Sequence, residues 1–67
     1  MITININGES RQLPANVTVA ALIEDMGLAG KRIALERNGE IVPRSVFATQ
    51  HLSDNDRLEI VVAVGGG

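Results

Sequence analysis

The first seven residues alternate between apolar and polar side chains, and this alternation restricts the folds that the chain can adopt. Alternation is the period of a half-buried strand, and it places three isoleucines on one face: Ile2, Ile4 and Ile6. The Asn7-Gly8 pair that follows supplies the two positive φ angles of a tight hairpin turn. The sequence therefore predicts a hairpin whose second strand, residues 9–13, ends at Pro14.

One stretch after this hairpin has the spacing of an amphipathic helix. Its apolar side chains form one stripe: Val19, Leu22, Ile23 and Met26. Thr18 is the expected N-cap, and Gly27 sits where a left-handed residue would end the helix. Because so short a helix is not stable alone, we expect it to cover one face of a sheet.

The remaining chain predicts more strands. Ile33 and Leu35 alternate with their neighbours, Asn38-Gly39 is a second hairpin signal, and residues 40–42 form a short strand before a proline. An irregular stretch follows, whose larger apolar side chains are expected to pack on the core: Val46, Phe47 and Leu52. Three turn-forming residues follow: Asp54, Asn55 and Asp56. The most apolar strand, residues 57–64, comes after this turn.

This order of elements predicts an α+β fold of the ubiquitin-like β-grasp type, with a mixed sheet of four or five strands packed on one helix. The first and last strands would be parallel central neighbours, which suits their apolar character. Residues 1–64 would form the domain, and residues 65–67 a flexible C-terminal glycine tail. The strand and helix periods place seven side chains in one core: Ile4, Ile6, Leu22, Ile23, Leu35, Leu58 and Ile60.

Composition excludes several classes of function. The chain has no Cys and a single His, so thiolate catalysis and zinc–thiolate sites are ruled out, and we expect no metal site. The net charge is −2, the basic residues are scattered, and no Trp or Tyr is present to stack on bases, so nucleic acid is not an expected partner. No apolar segment has spanning length, which predicts a cytoplasmic protein without a membrane partner.

The three glycines that follow the last strand have no side chains to pack, and ordering them costs conformational entropy. A frayed terminus is one interpretation. The other is a tail that threads into a narrow channel of a partner and presents the carboxylate of Gly67. A carboxylate must be activated before a nucleophile attacks it, and the chain has no phosphate-cradling motif and no nucleophile with an adjacent base. The sequence therefore predicts no catalytic residue, and a protein substrate rather than an enzyme.

Several motifs together resemble the sulfur carrier family of thiamine biosynthesis. They are the Ile-alternating start with Asn7-Gly8, the stretch Asn38-Gly39-Glu40-Ile41-Val42-Pro43-Arg44, the acidic turn at residues 54–56, and the ending at residues 59–67. The resemblance covers the whole chain, and Phe47 stands at the family's aromatic position in the irregular segment.

The resemblance implies that a ubiquitin-activating-like adenylyltransferase adenylates Gly67. Sulfur from a sulfur-delivering enzyme would convert the adenylate to a thiocarboxylate, which thiazole synthase would use to build the thiazole ring of thiamine. Gly67 would bear the sulfur, and Gly65 and Gly66 would form the threading part of the tail. The resemblance implies no permanently bound cofactor, since the ATP is consumed by the activating partner.

The last strand also predicts a docking surface. If Leu58 and Ile60 face the helix, the residues between them face away from it, on the open side of the sheet. We therefore expect a small apolar patch flanked by acids to contact the partners: Ala34, Glu36, Glu59, Val61 and Ala63. Isolated apolar surface residues are common, so ordinary exposure is the alternative interpretation.

Three other functions fit parts of the pattern. The small subunit of molybdopterin synthase would have the same fold and chemistry in another pathway. A ubiquitin-like modifier would be joined to lysines through Gly67, and a plain β-grasp interaction module would make no use of its glycines. A carrier requires the free terminal carboxylate, whereas a module would tolerate any extension.

Overall fold

The computed structural model describes residues 1–63. Within this range the chain forms five strands, one α-helix and one 3-10 turn. In chain order they are β1 (Ile2–Ile6), β2 (Glu9–Leu13), α1 (Val19–Asp25), β3 (Ile33–Arg37), β4 (Glu40–Ile41), the 3-10 turn (Arg44–Val46) and β5 (Arg57–Val62). No helix in the described range is long and apolar enough to cross a membrane.

The five strands form one mixed sheet in the order β2-β1-β5-β3-β4. β1 and β5 run parallel in the centre, with Ile6 opposite Leu58, and the other neighbouring pairs are antiparallel. The helix packs on one face, so the α+β fold with a mixed sheet and one helix is confirmed. A central position suits β5, because the most apolar strand then has neighbours on both sides.

Turn chemistry determines where the hairpins fall. The φ angles are 52° at Asn7 and 89° at Gly8, and 52° at Asn38 and 87° at Gly39. Two consecutive positive φ angles define the tight turn that matches the twist of the flanking strands. Both hairpins that the Asn-Gly pairs predict are therefore present.

The helix begins and ends where its sequence predicts. The Ala21 backbone N–H donates to Thr18 Oγ1 at 3.1 Å, which satisfies one of the free donors of the first turn. Gly27 has a φ of 73°, and its N–H donates to the Glu24 carbonyl. The stripe faces inward, because Val19 and Leu22 are fully buried.

All seven residues predicted for the core are buried. Four more apolar side chains complete it: Leu13, Val19, Val42 and Leu52. Val46 and Phe47 pack against this cluster from the irregular segment, as expected. Burying one such aliphatic side chain is worth about 1.5–3 kcal/mol, so most of the stability of this small domain comes from these contacts.

The last strand is shorter than its sequence predicts. It ends at Val62 because Val62 lies opposite Ile33, the first residue of β3, so β3 offers no further partner. One more bond continues the pairing, from the Ala63 N–H to the Arg32 carbonyl at 2.9 Å. Val64 and the glycine tail, residues 65–67, lie outside the described residues, as does the prediction that the tail is flexible.

Candidate functional site

The open face of the sheet brings together the residues predicted to contact partners. Ala34 lies opposite Val61, and Glu36 lies opposite Glu59, on the antiparallel pair β3–β5. Val61 is 64% exposed although it is a large apolar residue in a central strand. Ala63 follows on the same side and is also exposed. The predicted patch therefore exists as a surface, and its role as a docking site stays a prediction.

Ile41 also belongs to this patch, although it was not predicted from the sequence. It is 65% exposed and lies opposite Glu36 in the β3–β4 pair, so it shares the open face. The signal that could have found it is the second hairpin, because Asn38-Gly39 fixes which residues of β3 and β4 stand opposite each other. Val61 and Ile41 thus lie on either side of the two acids. We call this surface of six residues the open-face patch: Ala34, Glu36, Ile41, Glu59, Val61 and Ala63.

The two acids of the patch form an unfavourable pair within the domain. Like charges directly opposite each other on neighbouring strands destabilise a sheet. The salt bridges formed by the described residues are Arg11–Asp25 and Arg37–Asp56, so neither Glu36 nor Glu59 is neutralised by one. Arg57 lines the same surface depression as both acids, so one cation of the domain lies close to this pair.

The start of β5 is held by a buried carboxylate. Asp56 is 5% exposed, and it accepts hydrogen bonds from Arg37 Nε at 2.7 Å, Asn38 Nδ2 at 3.0 Å and the Ser53 N–H at 2.8 Å. Asn38 connects this carboxylate to β5, because its Oδ1 accepts a hydrogen bond from the Arg57 N–H at 2.9 Å. The sequence predicted only a turn here, since these partners are brought together by the fold.

The ionisation of Asp56 reflects this environment. Burial alone would raise the pKa of Asp56, because it disfavours the charged form. The hydrogen bonds from Arg37, Ser53 and Asn38 and the charge of Arg37 outweigh burial and hold this pKa below its ordinary value. Asp56 is therefore a structural carboxylate, and its charged form contributes to the position of β5.

Asn7 extends the support of β5 beyond the end of β1. Its Oδ1 accepts from the Ile60 N–H at 2.8 Å, and its Nδ2 donates to the Ile60 carbonyl at 3.0 Å. The side-chain amide thus pairs with β5 as a backbone peptide would. This second role of Asn7 could not be predicted from the sequence, because the turn alone explains an Asn at this position.

The described part of the chain offers little chemistry of its own. Among residues 1–63 no group of three His, Asp or Glu side chains could hold a metal ion. His51 is exposed, and its backbone pairs with Thr18. Of the predicted site, the structure describes the open-face patch and the end of β5, while Gly65, Gly66 and Gly67 lie outside the described residues.

Known proteins with the same sequence pattern point to one family. The family model described as the ThiS family matches residues 4–67. A thiazole synthase of Paramagnetospirillum magneticum is 48% identical over 62 residues, which are 92% of this chain and 19% of that relative. An uncharacterized protein of Pyropia yezoensis is 33% identical over 66 residues, 98% of this chain and 93% of that relative. The chain spans about a fifth of the length of two relatives named thiazole synthase, and almost the whole length of the Pyropia yezoensis protein.

Solved structures agree with the sequence match. A crystal structure of the thiamine biosynthesis protein ThiS from Geobacter metallireducens has a TM-score of 0.83 at 25% identity, covering 98% of this chain and 100% of that chain. A solution structure of a thiamine biosynthesis protein from the same organism has a TM-score of 0.78 and covers 98% of this chain and 88% of that chain. The resemblance found in the sequence is thus confirmed, and the chain belongs to the ThiS family.

Proposed function

We propose that this protein carries sulfur as a thiocarboxylate at Gly67 and is a substrate of its partner enzymes, not an enzyme itself. The observation that carries the proposal is the open-face patch beside the end of β5, in a chain whose family match runs to Gly67. A partner that binds the patch would hold the domain while the glycines enter its active site. Gly65 and Gly66 suit this entry, because a chain without Cβ atoms is narrow and can adopt any backbone angles.

The chemistry takes place in two steps. In the first, an adenylyltransferase joins a carboxylate oxygen of Gly67 to the α-phosphorus of ATP, and pyrophosphate leaves. In the second, a sulfide supplied by a sulfur-delivering enzyme attacks the acyl carbon, forms the C–S bond and expels AMP. No oxidant or reductant is needed when the sulfur arrives at the oxidation level of sulfide. The carrier binds no permanent cofactor in this scheme, and we propose that it acts in the cytoplasm, where ATP is available to the activating partner.

Thiazole synthase is the proposed acceptor of the sulfur. The support is that two relatives of this chain, one 48% and one 34% identical, bear the name thiazole synthase. We propose that the same open-face patch docks to both the activating enzyme and the synthase, because each must receive the same tail. The two partners would then compete for the carrier.

The test is an ATP–pyrophosphate exchange assay with the adenylyltransferase from the same cells. Deleting Gly67, or adding one residue after it, should abolish exchange and sulfur loading. Adding or deleting one residue displaces the carboxylate by about 3 Å or more, and near-attack geometry tolerates a far smaller displacement. Adding one residue before Met1, which is 81% exposed at the other terminus, is the matched control and should leave exchange unchanged.

The intact mass of the carrier purified from its native cells provides a second measurement. A species heavier by the difference between sulfur and oxygen would identify the loaded thiocarboxylate. If the protein extended after Gly67 exchanged pyrophosphate as fast as the native one, the carrier function would be wrong and the interaction-module interpretation would replace it.

A further inference from the structure

A basic hollow lies beside the end of β5, next to the open-face patch. It has a volume of about 570 Å³ and opens between the start of β3 and the end of β5. Its lining residues are Gly30, Lys31, Arg32, Ile33, Ala34, Arg44, Val61 and Ala63. Three of them are cationic and none is acidic. We refer to this feature as the basic hollow.

Two hydrogen bonds fix the shape of the basic hollow. An Arg44 guanidinium nitrogen, Nη2, donates to the Lys31 carbonyl at 2.9 Å, which ties the segment after β4 to the loop before β3. The Ala63 N–H donates to the Arg32 carbonyl at 2.9 Å, which ties the root of the tail to the same loop. The Arg44 guanidinium and the backbone that carries Lys31 and Arg32 are therefore held beside Ala63.

The charge of the basic hollow is unusual for this protein. The chain has a net charge of −2, yet half of its six basic residues line this one surface. Lys31, Arg32 and Arg44 are exposed, and none of them forms a salt bridge with a described residue. A few ångströms along the sheet, the open-face patch carries Glu36 and Glu59 instead. The surface thus has three cations at the root of the tail, and farther from it two acids that share a depression with one cation, Arg57.

We propose that the basic hollow is a second docking site, which receives an acidic segment at the mouth of the partner's channel. The inference rests on the proposed function, because it assumes that a partner receives the tail. The hollow shares Ala34, Val61 and Ala63 with the open-face patch, so one partner surface can cover both. Opposite charges at the two ends would orient the domain and increase the rate of productive encounter.

The geometry favours partner carboxylates over the phosphates of ATP as the occupant. Gly67 lies four residues beyond Ala63, which is roughly 13–14 Å along an extended chain. Activation takes place at the far end of the tail, so the cations at its root face the entrance of the channel. The groups that meet them there belong to the partner protein.

Charge reversal at Arg32 tests the site. Its carbonyl, not its side chain, bonds to Ala63, so Arg32→Glu reverses the charge without removing that bond. Arg11→Glu is the matched control, because it makes the same change of charge on β2, away from the hollow. Both variants and the native carrier are titrated against the adenylyltransferase at several salt concentrations, and the apparent KM and kcat for exchange are measured.

We expect Arg32→Glu to raise the Kd and the apparent KM about tenfold with little change in kcat, and Arg11→Glu to change them less than about twofold. The dependence of Kd on salt should be shallower for Arg32→Glu than for the native protein. Equal effects of the two variants would overturn the proposal. The proposal would also be overturned if the isolated native carrier bound ATP and Arg32→Glu abolished that binding, since the hollow would then be a nucleotide site.

These outcomes are distinct from failure of the proposed function. If the native carrier supports no pyrophosphate exchange, the carrier function itself is wrong. If it supports exchange and Arg32→Glu behaves as Arg11→Glu does, only the basic hollow loses its proposed role.

Discussion

The two ends of β5 are built in different ways. At its start, the Asn5 N–H donates to the Asp56 carbonyl at 2.9 Å, the Asn38 N–H donates to the Arg57 carbonyl at 2.8 Å, and Leu58 is fully buried. At its end, Val61 and Val62 are 64% and 37% exposed, and the pairing there is with β3 and the loop before it. One strand thus passes from a fixed core position to an accessible surface within six residues.

In the proposed function, this difference separates the residues that stabilise the fold from the residues that dock along a single strand. Segments that bind partners come from the less stable parts of a fold, where burial and pairing are low. The start of β5 fixes its register, so the accessible end always presents the same face to a partner. We expect substitutions at the start to unfold the domain and substitutions at the end to weaken docking.

Leu58→Ala should have the largest effect on stability. Removing a fully buried Leu side chain from a core costs about 2–5 kcal/mol, which is a large part of the total for a small domain. Urea unfolding followed by far-UV circular dichroism measures the change. Val62→Ala, on the same side of the same strand, is the matched control and should cost less than about 1 kcal/mol, because Val62 is partly exposed. Similar losses in both variants would contradict the difference between the two ends.

Asp56→Asn should have the next largest effect, because it removes a buried charge that Arg37 and Asn38 bind. Leaving Arg37 without its partner should destabilise the domain by roughly 3 kcal/mol at pH 7. Asp25→Asn is the control, since the exposed Arg11–Asp25 pair is worth at most about 1 kcal/mol.

The contribution of Asp56 should also depend on pH. The pKa of Asp56 is lowered in the folded state, so its charge stabilises the fold above its unfolded pKa of about 4. This stabilisation is lost as the pH falls through the folded pKa. The difference in unfolding free energy between native protein and Asp56→Asn should therefore shrink between about pH 5 and pH 2. A difference that stays constant over this range would show that Asp56 acts through its shape and not its charge.

Much of the fold could be predicted from the sequence because the signals are local. The alternation of β1, the helical stripe and the two Asn-Gly turns each depend on residues close together in the chain, and all are present in the structure. The residues of the open face could be predicted from alternation as well, since burying Leu58 and Ile60 places Glu59 and Val61 on the other side of the sheet.

What the sequence did not reveal depends on contacts between distant segments. Arg37 and Asp56 are 19 residues apart, and no local pattern marks them as partners. The basic hollow was missed for the same reason, because Arg44 meets Lys31 only after β3 and β4 have folded into a hairpin. The sequence predicted that β5 continues beyond Val62, where it ends. This end depends on where β3 begins and not on the apolar run itself.

Val61→Asp should have the smallest effect on stability and a clear effect on docking. Val61 is mostly exposed, so the unfolding free energy should change by less than about 1 kcal/mol. Asp at this position removes an apolar contact and must be desolvated on docking, so the apparent KM of pyrophosphate exchange should rise more than kcat falls. Gln12→Asp, exposed on the edge strand β2, is the control for added charge. An unchanged KM for Val61→Asp would remove the open-face patch as the docking surface.

The amide of Asn7 has a further consequence for the exposed edge of β5. β1 ends at Ile6, so the edge of the most apolar strand would be open to another chain beyond that point. Because the Asn7 side chain pairs with Ile60, the pairing on that side continues two residues farther along β5 than Leu58. Exposed strand edges template aggregation, and short ones do so poorly. One turn residue therefore protects the chain against self-association while leaving the tip of the strand accessible.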